Sequence, residues 1–197
     1  MTTEEMLRLR ETRLAPYIQL ATALIGKTRL GGGNMFRHQL DTMAILVDYG
    51  YIDSVLLKAS IVHDVLEDIQ DFNHNTFLSI DFESHLVYEL VKEVTRNQSE
   101  NKAEFLTRII DTGSKNAKVL KVADRISNMI TLGFVNNMEF VSRYADETER
   151  YVFPIAQVAN EFMLKELQSL VESRRRYVAD FAKVKSEEMY VDSTNFI

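Results

Sequence analysis

The stretch that decides the reading is Val55-Leu56-Leu57-Lys58-Ala59-Ser60-Ile61-Val62, followed at once by His63-Asp64-Val65-Leu66-Glu67-Asp68. A nearly unbroken apolar run gives way to four metal-competent or proton-transferring side chains within six positions. On a helix advancing about 100° per residue, His63, Asp64, Glu67 and Asp68 fall within an arc of about 140°. Val62, Val65, Leu66 and Ile69 take the other side. One turn earlier the acid-bearing arc holds Leu56, Leu57 and Ser60, so the helix reads as buried almost all round, with a polar cluster opening near its end. A solvent face would be polar along its whole length.

The chain around this stretch has 197 residues, 46% hydrophobic and 26% charged, enough to bury a sizeable core and not the composition of a disordered chain. Seven glycines and two prolines leave few breaks, which favours long helices over an all-β fold. The expected architecture is all-α: one helical domain over 1–197, with a core of about 20–172 and a C-terminal helix and tail over 173–197. A net charge of −6 argues against a general basic surface for nucleic acid. With no cysteine there is no disulfide, no thiolate metal site and no cysteine nucleophile. Any metal must be held by His, Asp and Glu, which suits Mn, Fe, Mg, Co or Zn. The absence of an 18-residue apolar run predicts neither a signal peptide nor a membrane span, and a cytoplasmic protein. Oligomeric state is not readable.

The first 25 residues read as one or two helices, with Pro16 placed to start the second or kink a single one. Lys27-Thr28-Arg29-Leu30-Gly31-Gly32-Gly33-Asn34 reads as a flexible loop holding three of the seven glycines. A helix follows over about 36–49, carrying His38, with Gly50 to end it; Asp53 is a good N-cap for the next. The segment from Ile69 to about Asp81 reads as irregular. Further helices are expected from Asp81 or Ser84 to about Arg96, over 102–112, from a Ser114 cap to about Leu132, over 137–152 and over 154–173. The tail is expected to stay helical to about Lys185 and then fray.

A second informative stripe lies in the Ser114-capped helix. Lys121, Asp124, Asn128 and Thr131 fall within about 80° of one another, while Val122, Ala123, Ile126, Met129 and Ile130 cover the other faces. A carboxylate on an otherwise apolar helix needs a partner. Arg125 is adjacent but points elsewhere, so a cation supplied from outside is an alternative. Together with His38 the stripes offer two imidazoles and two carboxylates, His38, His63, Asp64 and Asp124, a set suited to a divalent metal. Glu67 and Asp68 sit one turn beyond, placed to take a proton from water acidified by the metal. Each piece also has a plain structural reading. His38 can be a hydrogen-bonded core residue, the 63–68 cluster a polar helix end, and Lys121-Asp124-Asn128 an intrahelical salt bridge with a neighbouring amide. His74 and His85 carry no assigned role, and Arg174-Arg175-Arg176 reads as a solvated face.

Taken together the motifs resemble a family. His38, then His63-Asp64, then Asp124 is similar to the pattern of HD-domain metal phosphohydrolases. His63-Asp64-x-x-Glu67-Asp68 and Lys121-x-Ala123-Asp124-Arg125-x-x-Asn128-Met129-x-Thr131 are similar to the hydrolase domain of RelA/SpoT homologues and the small alarmone hydrolases. Val94-Thr95-Arg96, Glu147-Thr148 and Pro154-x-Ala156 match further elements, over roughly residues 20–172. The resemblance implies an HD-type helical bundle that hydrolyses the 3′-diphosphate of ppGpp or pppGpp to pyrophosphate and GDP or GTP, with Mn²⁺ in the site. It implies metal ligation by His38, His63, Asp64 and Asp124, catalytic roles for Glu67 and Asp68, and contact with the nucleotide by Arg29, Lys121, Asn128 and Thr131, with Arg29 packing on the guanine. The loop departs from the family's Arg-Lys-Ser-Gly-Glu-Pro-Tyr-x-x-His-Pro, reading Arg29-Leu30-Gly31-Gly32-Gly33-Asn34-Met35-Phe36-Arg37-His38-Gln39; Ser127 stands where a His is common and Ile130 where an Arg is common. Two alternatives stay open: an HD phosphohydrolase acting on another nucleotide or phosphoester, and a non-catalytic nucleotide-binding helical domain.

Overall fold

Local sequence explains where the helices begin. In the computed structural model, which describes the backbone of residues 1–194 and the side chains of 1–184, asparagine, serine, threonine and aspartate caps open most of them. Thr2 caps α1 (Thr3–Glu11), and Pro16 sits in the first turn of α2 (Ala15–Ala21), where its missing N–H costs nothing. Asn34 Oδ1 accepts from Arg37 N to start α3 (Met35–Asp48), and Asp53 Oδ1 accepts from Leu56 N to start α4 (Ser54–Val62). After α5 (Val65–Asp68) and α6 (His74–Leu78) come α7 (Ser84–Val94), α8 (Lys102–Thr112) and α9 (Lys115–Thr131). The last three are α10 (Met138–Glu147), α11 (Phe153–Ala159) and α12 (Glu161–Thr194), with a π-helical turn over Thr148–Val152 joining α10 to α11. The described residues hold no strand beyond one isolated bridge between Thr28 and Asn34. No helix among them is long and apolar enough to cross a membrane.

Three helices organise the rest. α3 packs on both α4 and α9, α4 also meets α9, and α7, α11 and α12 close over α9. α4 is the most apolar element: Leu56, Leu57, Ala59, Ile61 and Val62 are all fully buried. Burial of each large apolar side chain contributes about 1.5–3 kcal/mol, so α4 is fixed on all sides before it delivers His63.

The structure departs from the sequence reading in several places. The 63–68 stretch is not one continuous helix. Ser60 O, which an unbroken helix would offer to Asp64 N, accepts from His63 Nδ1 at 2.8 Å, and Asp64 N turns to Gln39 Oε1 at 3.4 Å. The chain turns at His63-Asp64 and restarts as α5. The segment expected to be irregular contains α6, capped by Asn73 and anchored by the fully buried Phe77. The helix expected over 154–173 starts where Pro154 predicts but is broken at Asn160, whose Oδ1 accepts from Phe162 N and Met163 N while its Nδ2 donates to Tyr51 Oη. Arg174 is not a freely solvated side chain; its guanidinium packs where a Cβ on Gly133 would stand. α12 runs without a break past Lys185 to Thr194.

The glycine loop is ordered as well. Met35 N donates to Lys27 O (2.9 Å), Arg29 N to Gly33 O (3.2 Å) and Gly32 N to Arg29 O (3.1 Å). Gly32 and Gly33 have φ of +87° and +72°, where side chains are strained. A Cβ on Gly31 would lie 2.7 Å from Thr131 O, so the loop lies against the end of α9.

Candidate metal centre

His38 comes from the second turn of α3, His63 from the C-cap of α4 and Asp124 from the middle of α9. All three are buried, and one ligand atom from each lies within 4.8 Å of the others. His38 Nε2 is 3.0 Å from Asp124 Oδ1, and His63 Nε2 is 3.8 Å from the same oxygen. Asp64 stands beside them, with Oδ2 3.7 Å from His38 Nε2 and 3.3 Å from His63 Nε2. Ions held at about 2.0–2.2 Å by nitrogen and oxygen space adjacent donors about 3.0–3.5 Å apart. The observed separations fall close to that range.

One atom argues most directly for a cation. His63 Nδ1 donates to Ser60 O, so Nε2 is the ring's free position; it is buried and has no hydrogen-bond partner. At 3.8 Å from Asp124 it is too far for a hydrogen bond. Burial works against a charged His63, but the negative charges of Asp64 and then Asp124 outweigh it and raise its pKa to about 9. The carboxylates thus draw positive charge to this position. Burial would likewise raise the carboxyl of Asp124, yet Lys121, His38 and His63 hold it well below the usual carboxylate range.

Asp124 also makes the contacts of the plain structural reading. Lys121 Nζ meets its Oδ2 at 2.7 Å, and Asn128 Nδ2 donates to Oδ1 at 2.5 Å and to the backbone oxygen at 3.0 Å. The structural reading of that stripe is met, and Asp124 Oδ1 still faces His38 and His63. Arg125 points away, as expected from the helical spacing, to Glu147 Oε1 (2.8 Å) and Thr148 Oγ1 (3.2 Å).

The other singled-out residues are held by partners of their own. Glu67 Oε1 accepts from Arg96 N at 2.7 Å, and Asp68 pairs with Lys27. Arg29 Nη2 donates to Asn128 Oδ1 at 2.6 Å, so the Asn128 amide is engaged on both sides by protein groups. Thr131 Oγ1 donates back into its own helix. Arg29, Asn128 and Thr131 line a cavity of 100 Å³ with Phe140 and Tyr144, and on the other side of the glycine loop Arg29, Arg37, Ser127 and Phe134 border one of 730 Å³. Sequence reasoning missed Gln39, fully buried, whose Nε2 donates to Asp64 Oδ2 at 2.7 Å; a polar residue on the inner face of a helix beside His38 was its available signal. It also missed Lys27, whose role depends on how the loop folds, and Ser127.

Fold and site define the class of this chain: an all-helical protein with a His/Asp group able to hold one divalent metal ion. No protein-family model matches it. It is 26% identical over 184 residues to a protein of Mycoplasma genitalium named probable guanosine-3′,5′-bis(diphosphate) 3′-pyrophosphohydrolase, covering 84% of this chain and 25% of that one. It is 28% identical over 152 residues to the GTP pyrophosphokinase rsh of Brucella ovis, covering 72% of this chain and 20% of the relative. The chain therefore spans a quarter or less of the length of these curated relatives. Its fold is that of a solved structure described as a metazoan ortholog of SpoT that hydrolyzes ppGpp, with a TM-score of 0.67 and 24% identity over 82% of this chain and 94% of the other. The chain is thus similar in sequence to a protein named a ppGpp 3′-pyrophosphohydrolase and in fold to a ppGpp-hydrolysing SpoT ortholog, in keeping with the resemblance its motifs carry.

Proposed function

We propose that this chain is a metal-dependent pyrophosphohydrolase that removes the 3′-diphosphate of ppGpp or pppGpp, giving pyrophosphate and GDP or GTP, with Mn²⁺ as its metal. The observation that carries the reading is the convergence of His38, His63 and Asp124 on one buried position, where His63 Nε2 has no hydrogen-bond partner. The name of the Mycoplasma genitalium relative and the description of the structural neighbour support the substrate. His38, His63, Asp64 and Asp124 hold the ion. A divalent ion there lowers the pKa of water and offsets charge on the phosphoryl oxygens. Gln39 orients Asp64, and Asn128 orients Asp124, by the hydrogen bonds given above.

Glu67 and Asp68 act on the water. Arg96 N fixes Glu67 through Oε1, leaving Oε2 to take the proton as the water oxygen bonds to the phosphorus attached to O3′. The P–O3′ bond breaks, O3′ takes up a proton and leaves as a hydroxyl while Glu67 gives up the one it took from water, and pyrophosphate is released. Lys27 holds Asp68 and Arg29 holds Asn128, so the glycine loop is tied to both sides of the centre and presents Arg29 to the nucleoside.

Product analysis with ppGpp and ppApp in Mn²⁺ tests this. The expected products from ppGpp are pyrophosphate and GDP, with turnover in Glu67→Gln lower by about 10²-fold and metal affinity unchanged. Orthophosphate release, or full turnover in Glu67→Gln, contradicts it. A second reading keeps the metal chemistry but assigns another nucleotide or phosphoester. The glycine loop favours it, because Gly31, Gly32 and Gly33 place no side chain along a stretch that borders both cavities.

A further inference from the structure

The two imidazoles are held from behind in different ways. His63 Nδ1 donates to a backbone carbonyl, Ser60 O, at 2.8 Å. A carbonyl can only accept, so it fixes the proton on Nδ1 and no side-chain substitution removes it. His38 Nδ1 faces a hydroxyl instead, Ser127 Oγ, at 2.9 Å. Ser127 is 2% exposed and His38 1%, so water does not stand in for either partner. Ser127 follows Asp124 by three residues on α9, which sets the outer partner of one candidate ligand one turn from another.

We infer that Ser127 is the positioning residue for His38: its hydroxyl accepts the Nδ1 proton and turns the Nε2 lone pair toward the cation. The inference rests on the metal reading proposed above. A hydroxyl both donates and accepts, so His38, unlike His63, keeps its outer hydrogen bond in either tautomer. The tautomer with the proton on Nδ1 is the one that ligates. Ser127 therefore holds the ring whichever nitrogen carries the proton, without locking the tautomer, and His38 is the ligand whose grip on the ion one side chain can tune. Outer partners of ligating histidines fix ring orientation and tautomer, and removing one costs about 10–100-fold in metal affinity.

The test is Mn²⁺ affinity, read from the electron paramagnetic resonance signal of free Mn²⁺, for the full chain, Ser127→Ala and Ser127→Thr. Ser127→Ala should bind about 10–100-fold more weakly, and Ser127→Thr, which keeps the hydroxyl, should recover most of the loss. Long-range ¹H–¹⁵N spectra of the unsubstituted protein loaded with diamagnetic Zn²⁺ should show the His38 proton on Nδ1, a readout a packing role would not move. Equal affinity in Ser127→Ala, or a zinc-loaded His38 without a proton on Nδ1, overturns the inference while leaving the metal site standing. If the unsubstituted protein binds neither ion, the metal reading itself fails and the inference with it.

Discussion

Helix α4 carries two buried polar groups about a turn and a half apart, and they are built in opposite ways. Lys58, 2% exposed, has its Nζ 2.7 Å from Asp81 Oδ2 and 2.5 Å from Glu83 Oε2, with Tyr17 Oη donating to Asp81 Oδ1 at 2.9 Å. Its Nζ is partnered within the protein. At His63 the same helix end meets Asp64 and Asp124, yet His63 Nε2 finds no hydrogen-bond partner. The first group is closed and ties the segment before α7 to α4. The second is open to one more cation. A cavity of 770 Å³ lies beside the closed group, lined by Lys58, Asp81 and Glu83, but their charges are already paired. Cavities of 780 and 730 Å³ lie elsewhere, so size picks no one place; the unpartnered Nε2 of His63 does.

Breaking the closed group should give the larger change in stability. Lys58→Met leaves two carboxylates without their cation and should cost about 3 kcal/mol, toward the low end for a buried pair because both carboxylates keep some solvent contact. Urea denaturation measures this, and Mn²⁺ affinity should not change. A loss of metal binding in Lys58→Met would dissolve the distinction between the two groups.

A smaller effect sharpens it. Burial alone would raise the carboxyls of Asp81 and Glu83, but hydrogen bonds from Lys58, and then from Tyr17 and Ser54 respectively, hold both below their usual values. Groups lowered in this way stabilise the fold above the usual carboxylate range, and that contribution is lost as pH falls through the lowered values. The difference in urea stability between the unsubstituted protein and Lys58→Met should therefore be constant near neutrality and narrow below about pH 4. A gap that stays constant into acid would show that the pairing energy is not electrostatic.

The sequence was most legible where one element decides the outcome. The Asp53 and Ser114 caps lie where their short polar side chains predict, and the apolar spacing of α4 and α9 identifies their buried faces. It was least legible where partners come from elsewhere in the chain. The break at His63-Asp64 needs Gln39, which lies on another helix, to accept from Asp64 N. α6 depends on Phe77 reaching the core beside Tyr17. The glycine loop reads as flexible by composition, but its order comes from Lys27, Arg29 and the close approach of Gly31 to Thr131. Within the candidate site, the spacing within helices was readable in Asp124 and its neighbours. The outer partners Gln39 and Ser127 were not, because they meet Asp64 and His38 across separate helices.

The central claim is that the open group is a cation site, and calorimetric titration of Mn²⁺ into the full chain and into His63→Ala tests it most directly. One ion should bind per chain, and His63→Ala, checked for an intact helical spectrum, should lose more than the about 10–100-fold that an outer partner contributes. Absence of binding, or equal binding by the folded variant, would contradict the claim.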